Sequence, residues 1–255
     1  MAEVAVMSDA LRLFAAIWFL PLFPFSGVFV YLAGRKLRSA AARGAVFIVW
    51  PLLGVSLVGA YVPPWLHAWA LFSALLYAVR LLAMRDLRLW SAYLGASAFA
   101  LLWLPLPEHA PGWLAALGLG IPLALLAQLA AVLEERFGAA YCGLYGGLYL
   151  KQPRLAGALT LLTLSAVASP IFPGFFVLTG VALHAGFAYA IGALIVWLLW
   201  TWAAVLLLQG FMLGKPQTAP VPSDLSGAEL AALGVPAAVF VGAGLFFVTT
   251  LLSGG

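Results

Sequence analysis

Apolar residues run along this chain in blocks of about twenty, separated by short charged or proline-rich interruptions. A helix rises 1.5 Å per residue, so about 20 apolar residues cross the ~30 Å hydrocarbon layer of a bilayer. The blocks predict helices over 13–33, 45–62, 65–83, 89–106, 112–133, 187–212 and 228–252. The stretch 155–183 is too long for one ordinary helix and is cut by Ser169-Pro170-Ile171-Phe172-Pro173-Gly174. Two prolines and a glycine there remove donors and break the hydrogen-bond ladder. Each half is too short to cross alone, so one discontinuous span accounts for both. The expected fold is an all-α polytopic membrane protein with about eight transmembrane spans. It forms a single membrane domain over 1–255: two spans in 1–62, a five-span unit in 65–213 with its break at 169–175, and a last span at 228–252.

The interruptions carry the charge. Gly34-Arg35-Lys36-Leu37-Arg38, with Arg43 after it, follows the first span, and Pro63-Pro64 stops the second. Arg80, Arg85, Asp86 and Arg88 surround the third turn, and Glu134-Glu135-Arg136 ends the fifth span. A Gly/Tyr-rich connection, 137–152, holds Tyr141, Tyr145, Tyr149 and Lys151; such tyrosines suit the headgroup level. Lys215 and a proline-rich linker, 216–223, precede Ser226-Gly227-Ala228-Glu229, which fits a capping box at the start of the last span. With the broken segment counted as one crossing, every lysine and arginine except Arg12 falls on one side. The opposite connections, 63–65, 107–111 and 184–186, hold none. The positive-inside rule then places the basic ends in the cytoplasm of a cell (inner) membrane and both termini outside.

Composition agrees. Hydrophobic residues make up 65% of the 255 and charged ones 8%, against about 25% charged in soluble domains. That excludes a soluble domain and a disordered chain. The net charge of +4 fits membrane orientation, and no nucleic-acid partner is expected. Cys142 is the sole cysteine and His67, His109 and His184 are far apart, so no metal site of the usual zinc type and no cofactor is expected. The chain has no asparagine and therefore no N-glycosylation acceptor. Glu3 and Asp9 replace the basic start of a signal peptide, so the first block reads as a retained span.

Ionisable residues inside a membrane mark ion pathways, and the central parts of these spans lack Asp, Glu, Lys and Arg. What remains is Ser56, Ser73, Ser97, Gln128, Thr160, Thr163, Ser165, Thr179, Thr201 and Gln209, which read first as helix-to-helix hydrogen bonds. Gln128 is the costliest of these to bury. Ala116/Gly120 and Ala238/Gly242 are small pairs that permit close helix approach. Trp18, Trp50, Trp65, Trp69, Trp90, Trp103 and Trp113 lie near span ends, as an aromatic belt would. No phosphate loop and no nucleophile triad is evident, so no catalytic residues are assigned.

Three segments carry a family resemblance: Arg85-Asp86-Leu87-Arg88-Leu89-Trp90-Ser91-Ala92-Tyr93, Tyr145-Gly146-Gly147-Leu148 through Lys151-Gln152-Pro153-Arg154-Leu155-Ala156, and Ser169-Pro170-Ile171-Phe172-Pro173-Gly174-Phe175-Phe176. Together with Pro21-Leu22-Phe23-Pro24 and Gly34-Arg35-Lys36-Leu37, the chain resembles the antiporter-like, proton-conducting membrane subunits. These are shared by respiratory complex I, multi-subunit cation/proton antiporters, membrane-bound hydrogenases and energy-coupled inorganic-carbon uptake systems. The resemblance implies a shortened member that keeps the two N-terminal helices, the second inverted repeat and the last helix, and lacks the first repeat.

Family members carry a lysine, with a histidine one turn earlier, in the helix before the Gly-Gly-Leu loop. Aligned here, those positions are Leu123 and Leu119. The family's Lys or Glu after the Gly-Phe of the broken helix falls on Leu178. The resemblance thus implies a non-conducting scaffold subunit of an ion-translocating complex. Its partners would be other membrane subunits, a full-length antiporter-like one among them, and a cytoplasmic soluble subunit. Arg88, Glu134, Glu135, Arg136, Lys151 and Arg154 are the candidate docking residues. Two alternatives stay open: a conduit for protons or an uncharged substrate past Gln128, Thr179 and His184, and a membrane anchor for a carbonic-anhydrase-like protein in inorganic-carbon uptake.

Overall fold

The computed structural model describes residues 2–58, 62–106, 111–144, 146–214 and 222–253; for 2–9 and 245–253 it describes the backbone alone. Glu108, His109, Tyr145, Lys215 and the first part of the proline-rich linker lie outside the described residues, as do the side chains of Glu3 and Asp9. The helices are α1 Ala2–Phe19, α2 Ser26–Tyr31, α3 Ala40–Leu57, α4 Pro64–Leu81, α5 Leu87–Ala100, α6 Gly112–Phe137, α7 Leu148–Lys151, α8 Pro153–Ala166, α9 Pro173–His184, α10 Phe187–Met212 and α11 Gly227–Ser253. A π-helical turn, Leu32–Lys36, continues α2, and a 3₁₀ turn, Leu101–Trp103, continues α5.

The class is all-helical and membrane-embedded. Four helices are long and apolar enough to cross a membrane: Ala40–Leu57, Gly112–Phe137, Phe187–Met212 and Gly227–Gly244 within α11. Ala10–Phe19 and Pro173–His184 are shorter apolar helices. Helix lengths therefore do not by themselves yield eight crossings. The segment read as a fourth span is a 14-residue helix plus a 3₁₀ turn. Its side chains are almost all buried by neighbouring helices, and irregular backbone is tolerated at membrane depth where protein rather than lipid covers it.

The expected break occurs where the prolines put it. α8 ends at Ala166, α9 begins with Pro173 at its first turn, and Ala168 and Ile171 between them adopt φ of 56° and 89°. Gly174 is required there: a Cβ would stand 3.1 Å from the Ala168 Cβ and 3.4 Å from the Gly118 carbonyl.

A second break was not expected. The block 13–33, read as one helix, divides into α1 and α2. Pro21 and Pro24 each lack a backbone N–H, so the ladder cannot run through them. The carbonyls released there are taken by indoles from three other elements. Trp50 Nε1 donates to Trp18 O at 3.0 Å, Trp103 Nε1 to Leu20 O at 2.9 Å, and Trp69 Nε1 to Phe23 O at 2.7 Å. The same device recurs at the other break, where Trp197 Nε1 donates to Val167 O at 3.0 Å. Trp50, Trp69 and Trp103 thus serve the backbone instead of a belt, whereas Trp65 and Trp113 stay exposed near helix starts.

α3 and α6 form the closest crossing, running antiparallel. A Cβ on Gly120 would lie 2.4 Å from the Phe47 carbonyl oxygen, and one on Gly44 would lie 3.1 Å from Gln128 Nε2. The small residue Gly120 acts as expected. Gly242 meets nothing within 4 Å, and Gly244 is the α11 glycine that approaches the Ile171 carbonyl. Deeper in the bundle, Trp200 of α10 donates to Ser97 Oγ at 2.9 Å, and Ser97 donates to the Ala74 carbonyl of α4 at 2.7 Å.

Candidate functional site

Two regions bear on function: the interior around the C-terminal break and the charged ends of the helices. In the interior, Leu119 and Leu123 lie one turn apart on α6 and are 2% and 0% exposed. Leu178, in the middle of α9, is 6% exposed. Glycine contacts bring α9 onto α6 at Gly118, which meets Val177 and Pro173. The three leucines therefore fill the space on either side of the break with hydrocarbon.

The polar residues proposed as a path are dispersed. Gln128 faces α3 at Gly44. It lies ten residues, about 15 Å, along α6 from the level at which α9 packs. Thr179 Oγ1 donates to its own helix at Phe175 O, 2.9 Å away. His184 is exposed at the end of α9 with Nδ1 2.9 Å from Gly180 O. Most other mid-helix hydroxyls behave alike: Ser73, Thr160 and Thr201 bond carbonyls one turn back. Among the described residues no group of three or more His, Cys, Asp or Glu side chains is placed to hold a metal ion.

The charges collect at one end of the bundle. α3 begins earlier than expected because Ser39 caps it, and this carries Arg43 into the helix. Arg43 is 1% exposed and bonds both carboxylate oxygens of Glu134 at 3.4 Å. Arg88 Nε stands 3.3 Å from Glu134 Oε1, and Arg88 Nη2 donates to the Leu37 carbonyl at 2.8 Å. One carboxylate on α6 thus lies between guanidinium groups from α3 and α5. Asp86, next to them, caps α5 by accepting from the N–H groups of Arg88 and Leu89. Sequence reasoning placed Arg43 in a loop; the cap at Ser39 was the available signal.

A second cluster ties the linker before α11 to α6 and α8. Arg136 donates to Ser223 O and pairs with Glu229 Oε1 at 2.6 Å. Gln152, fully buried, donates to Pro222 O at 2.6 Å, and Arg154 Nη1 donates to Leu225 O at 3.1 Å. Asp224 accepts from the N–H groups of Arg154 and Leu155, capping α8. The capping box forms: Glu229 N donates to Ser226 Oγ and Ser226 N to Glu229 Oε2. Of the six candidate docking residues, Arg88, Glu134, Arg136 and Arg154 are engaged within the chain. Glu135 and Lys151 are exposed.

Partial desolvation acts to raise the Asp224 pKa, but the N–H groups of Arg154, Leu225 and Leu155 and the Arg154 charge outweigh it and hold the carboxyl below its ordinary range. A depressed carboxyl stabilises the fold above its unfolded pKa and loses that contribution as pH falls through the folded value. Acidification from neutral is therefore expected to loosen the linker, beginning near the ordinary aspartate range. Asp224→Asn should abolish that part of the pH dependence. Limited proteolysis of the linker against pH checks both.

No family model matches the chain, and no curated protein matches it. Solved structures do. The fold superposes on a chain of respiratory complex I from Thermus thermophilus with bound NADH at TM-score 0.78 and 23% identity, covering 92% of this chain and 54% of that one. A chain of the Mrp complex from Dietzia sp. gives 0.77 and 19%, covering 98% and 58%. The membrane-bound sulfane sulfur reductase, an archaeal respiratory membrane complex, gives 0.72 and 16%, covering 95% and 53%. The chain has the fold of these membrane subunits and spans little more than half the length of the solved chains it matches.

Proposed function

We propose that this chain is a non-conducting, scaffold-type membrane subunit of a multi-subunit ion-translocating complex of the kind to which its structural neighbours belong. The observation that carries the reading is the trio Leu119, Leu123 and Leu178. They stand buried beside the broken helix, at the positions where the family resemblance puts ionisable side chains. A proton relay needs titratable groups or ordered water in hydrogen-bond reach, and hydrocarbon there supplies neither. The charges sit at the helix ends, where they hold α3, α5, α6, α8 and α11 together.

Other membrane subunits are the proposed partners. The outward faces of α1 and α10 are apolar, with Phe14, Leu194, Leu198 and Trp202 exposed. Coverage of about half of each solved neighbour leaves room for a further subunit against this chain. The basic ends are assigned to the cytoplasm by the positive-inside rule, with the N- and C-termini opposite. A second reading, an anchor for a cytoplasmic protein such as a carbonic-anhydrase-like enzyme, is favoured by one feature. α7 presents Tyr149 and Leu150 exposed beside Lys151 on the basic end.

Mass spectrometry of material purified from its native membrane in mild detergent tests the scaffold reading. Antiporter-like membrane subunits in fixed ratio are the expected companions. A soluble enzyme as sole companion favours the anchor, and a stable lone monomer contradicts both.

A further inference from the structure

A cleft of about 270 Å³ opens at the basic end between α2, its π-turn, α4 and α5, lined by Gly27, Tyr31, Arg35, Tyr77, Arg80 and Tyr93 among others. Its composition is unlike the rest of the surface. Two arginines and three tyrosines converge, and no acidic side chain lines it. The described acidic side chains near this end are committed elsewhere: Asp86 to the α5 cap and Glu134 to Arg43 and Arg88. Among the described residues Arg35 and Arg80 make no ion pair.

The local structure explains the convergence. The π-turn Leu32–Lys36 lets Gly34 press against α5, where a Cβ would stand 2.9 Å from the Leu89 side chain. Arg35, the next residue, is exposed and lines the cleft opposite Arg80 in the last turn of α4. Tyr77 is fixed by a hydrogen bond to Ser26 and stacks obliquely near Tyr93, ring centroids 5.8 Å apart. Gly27 contributes no side chain, and a Cβ there would meet nothing within 4 Å. Beside the cleft, Val28, Phe72 and Val79 are exposed on α2 and α4 as an apolar wall.

We infer that this cleft binds the headgroup of an anionic phospholipid, with the phosphate between Arg35 and Arg80, the Tyr31 and Tyr93 hydroxyls as neighbouring donors, and the acyl chains along Val28, Phe72 and Val79. Guanidinium groups match phosphate oxygens in pairs. Basic pockets between helices on the cytoplasmic side suit such headgroups. The apolar wall distinguishes a lipid from a free anion, which would gain nothing from it. The inference does not depend on whether the chain conducts.

The test is a titration of the full chain in mild detergent with short-chain phosphatidylglycerol, phosphatidylcholine or inorganic phosphate, read by native mass spectrometry. The expected result is one saturable phosphatidylglycerol per chain, with weaker binding of the other two. Arg35→Gln or Arg80→Gln should each lower the affinity about fivefold, since a charge near a lipid surface contributes about 1 kcal/mol. Arg38→Gln, an exposed charge off the cleft, should leave it unchanged. Both arginines are exposed, so the variants should fold, and matched circular dichroism spectra verify it. Undiminished lipid binding in the double variant, or equal binding of phosphatidylcholine, overturns the site. Inorganic phosphate binding as tightly as the lipid overturns the lipid assignment.

Discussion

Glu134→Ala is expected to destabilise the fold by about 3–5 kcal/mol, the range for leaving one partner of a buried ion pair without its counter-charge. Arg43 is almost wholly enclosed, and Glu134 is the carboxylate that meets it. Without that carboxylate the guanidinium must stay buried and unpaired or force α3 away from α6. Arg88 loses the same partner, although it is more exposed and keeps its bond to Leu37. Arg43→Leu combined with Glu134→Leu should recover most of the loss, because hydrophobic replacement of both members removes the desolvation cost as well as the attraction. Thermal unfolding in detergent, followed by tryptophan fluorescence, gives all three values. A Glu134→Ala midpoint equal to the wild type would show that the cluster is solvated.

Gly120→Leu is expected to be comparably damaging by a different route. A Cβ at 120 already lies 2.4 Å from a backbone oxygen of α3, and backbone cannot rotate aside as a flexible side chain can. The two helices must separate, which opens the crossing around Phe47 and pulls on the Arg43–Glu134 pair at its charged end. Overpacking usually costs about 1–3 kcal/mol, and this position belongs at or above the upper end because the obstacle is main chain. Gly242→Leu is the control: the space there is open, so its midpoint should stay near that of the wild type. The same unfolding assay compares them.

The parts of this fold that were legible in the sequence are those governed by local rules. α10 occupies the predicted 187–212, because a long unbroken apolar run leaves the backbone one choice in lipid. The break after α8 follows from Pro170 and Pro173, and the start of α11 from its capping box. The break between α1 and α2 rests on the same proline chemistry at Pro21 and Pro24, but the flanking residues are so apolar that hydropathy bridges them. Its stabilisation was not legible at all. Trp50, Trp69 and Trp103 come from elements distant in sequence, and nothing local states that an indole will seek a released carbonyl.

The charged end was legible only in part. Glu134 beside Arg136 gives no hint that one turns inward to Arg43 and the other outward to Glu229, since that depends on which helices α6 meets. The absence of titratable groups from the span centres was visible from composition. That the leucines replacing them are packed inside required the tertiary arrangement.

Proton flux into liposomes bearing the purified chain, with a potassium-valinomycin potential and an entrapped pH dye, tests the central claim most directly. The account predicts decay indistinguishable from that of protein-free liposomes. Flux that rises with the amount of chain incorporated, and falls on substitution of Gln128, Thr179 or His184, would contradict it.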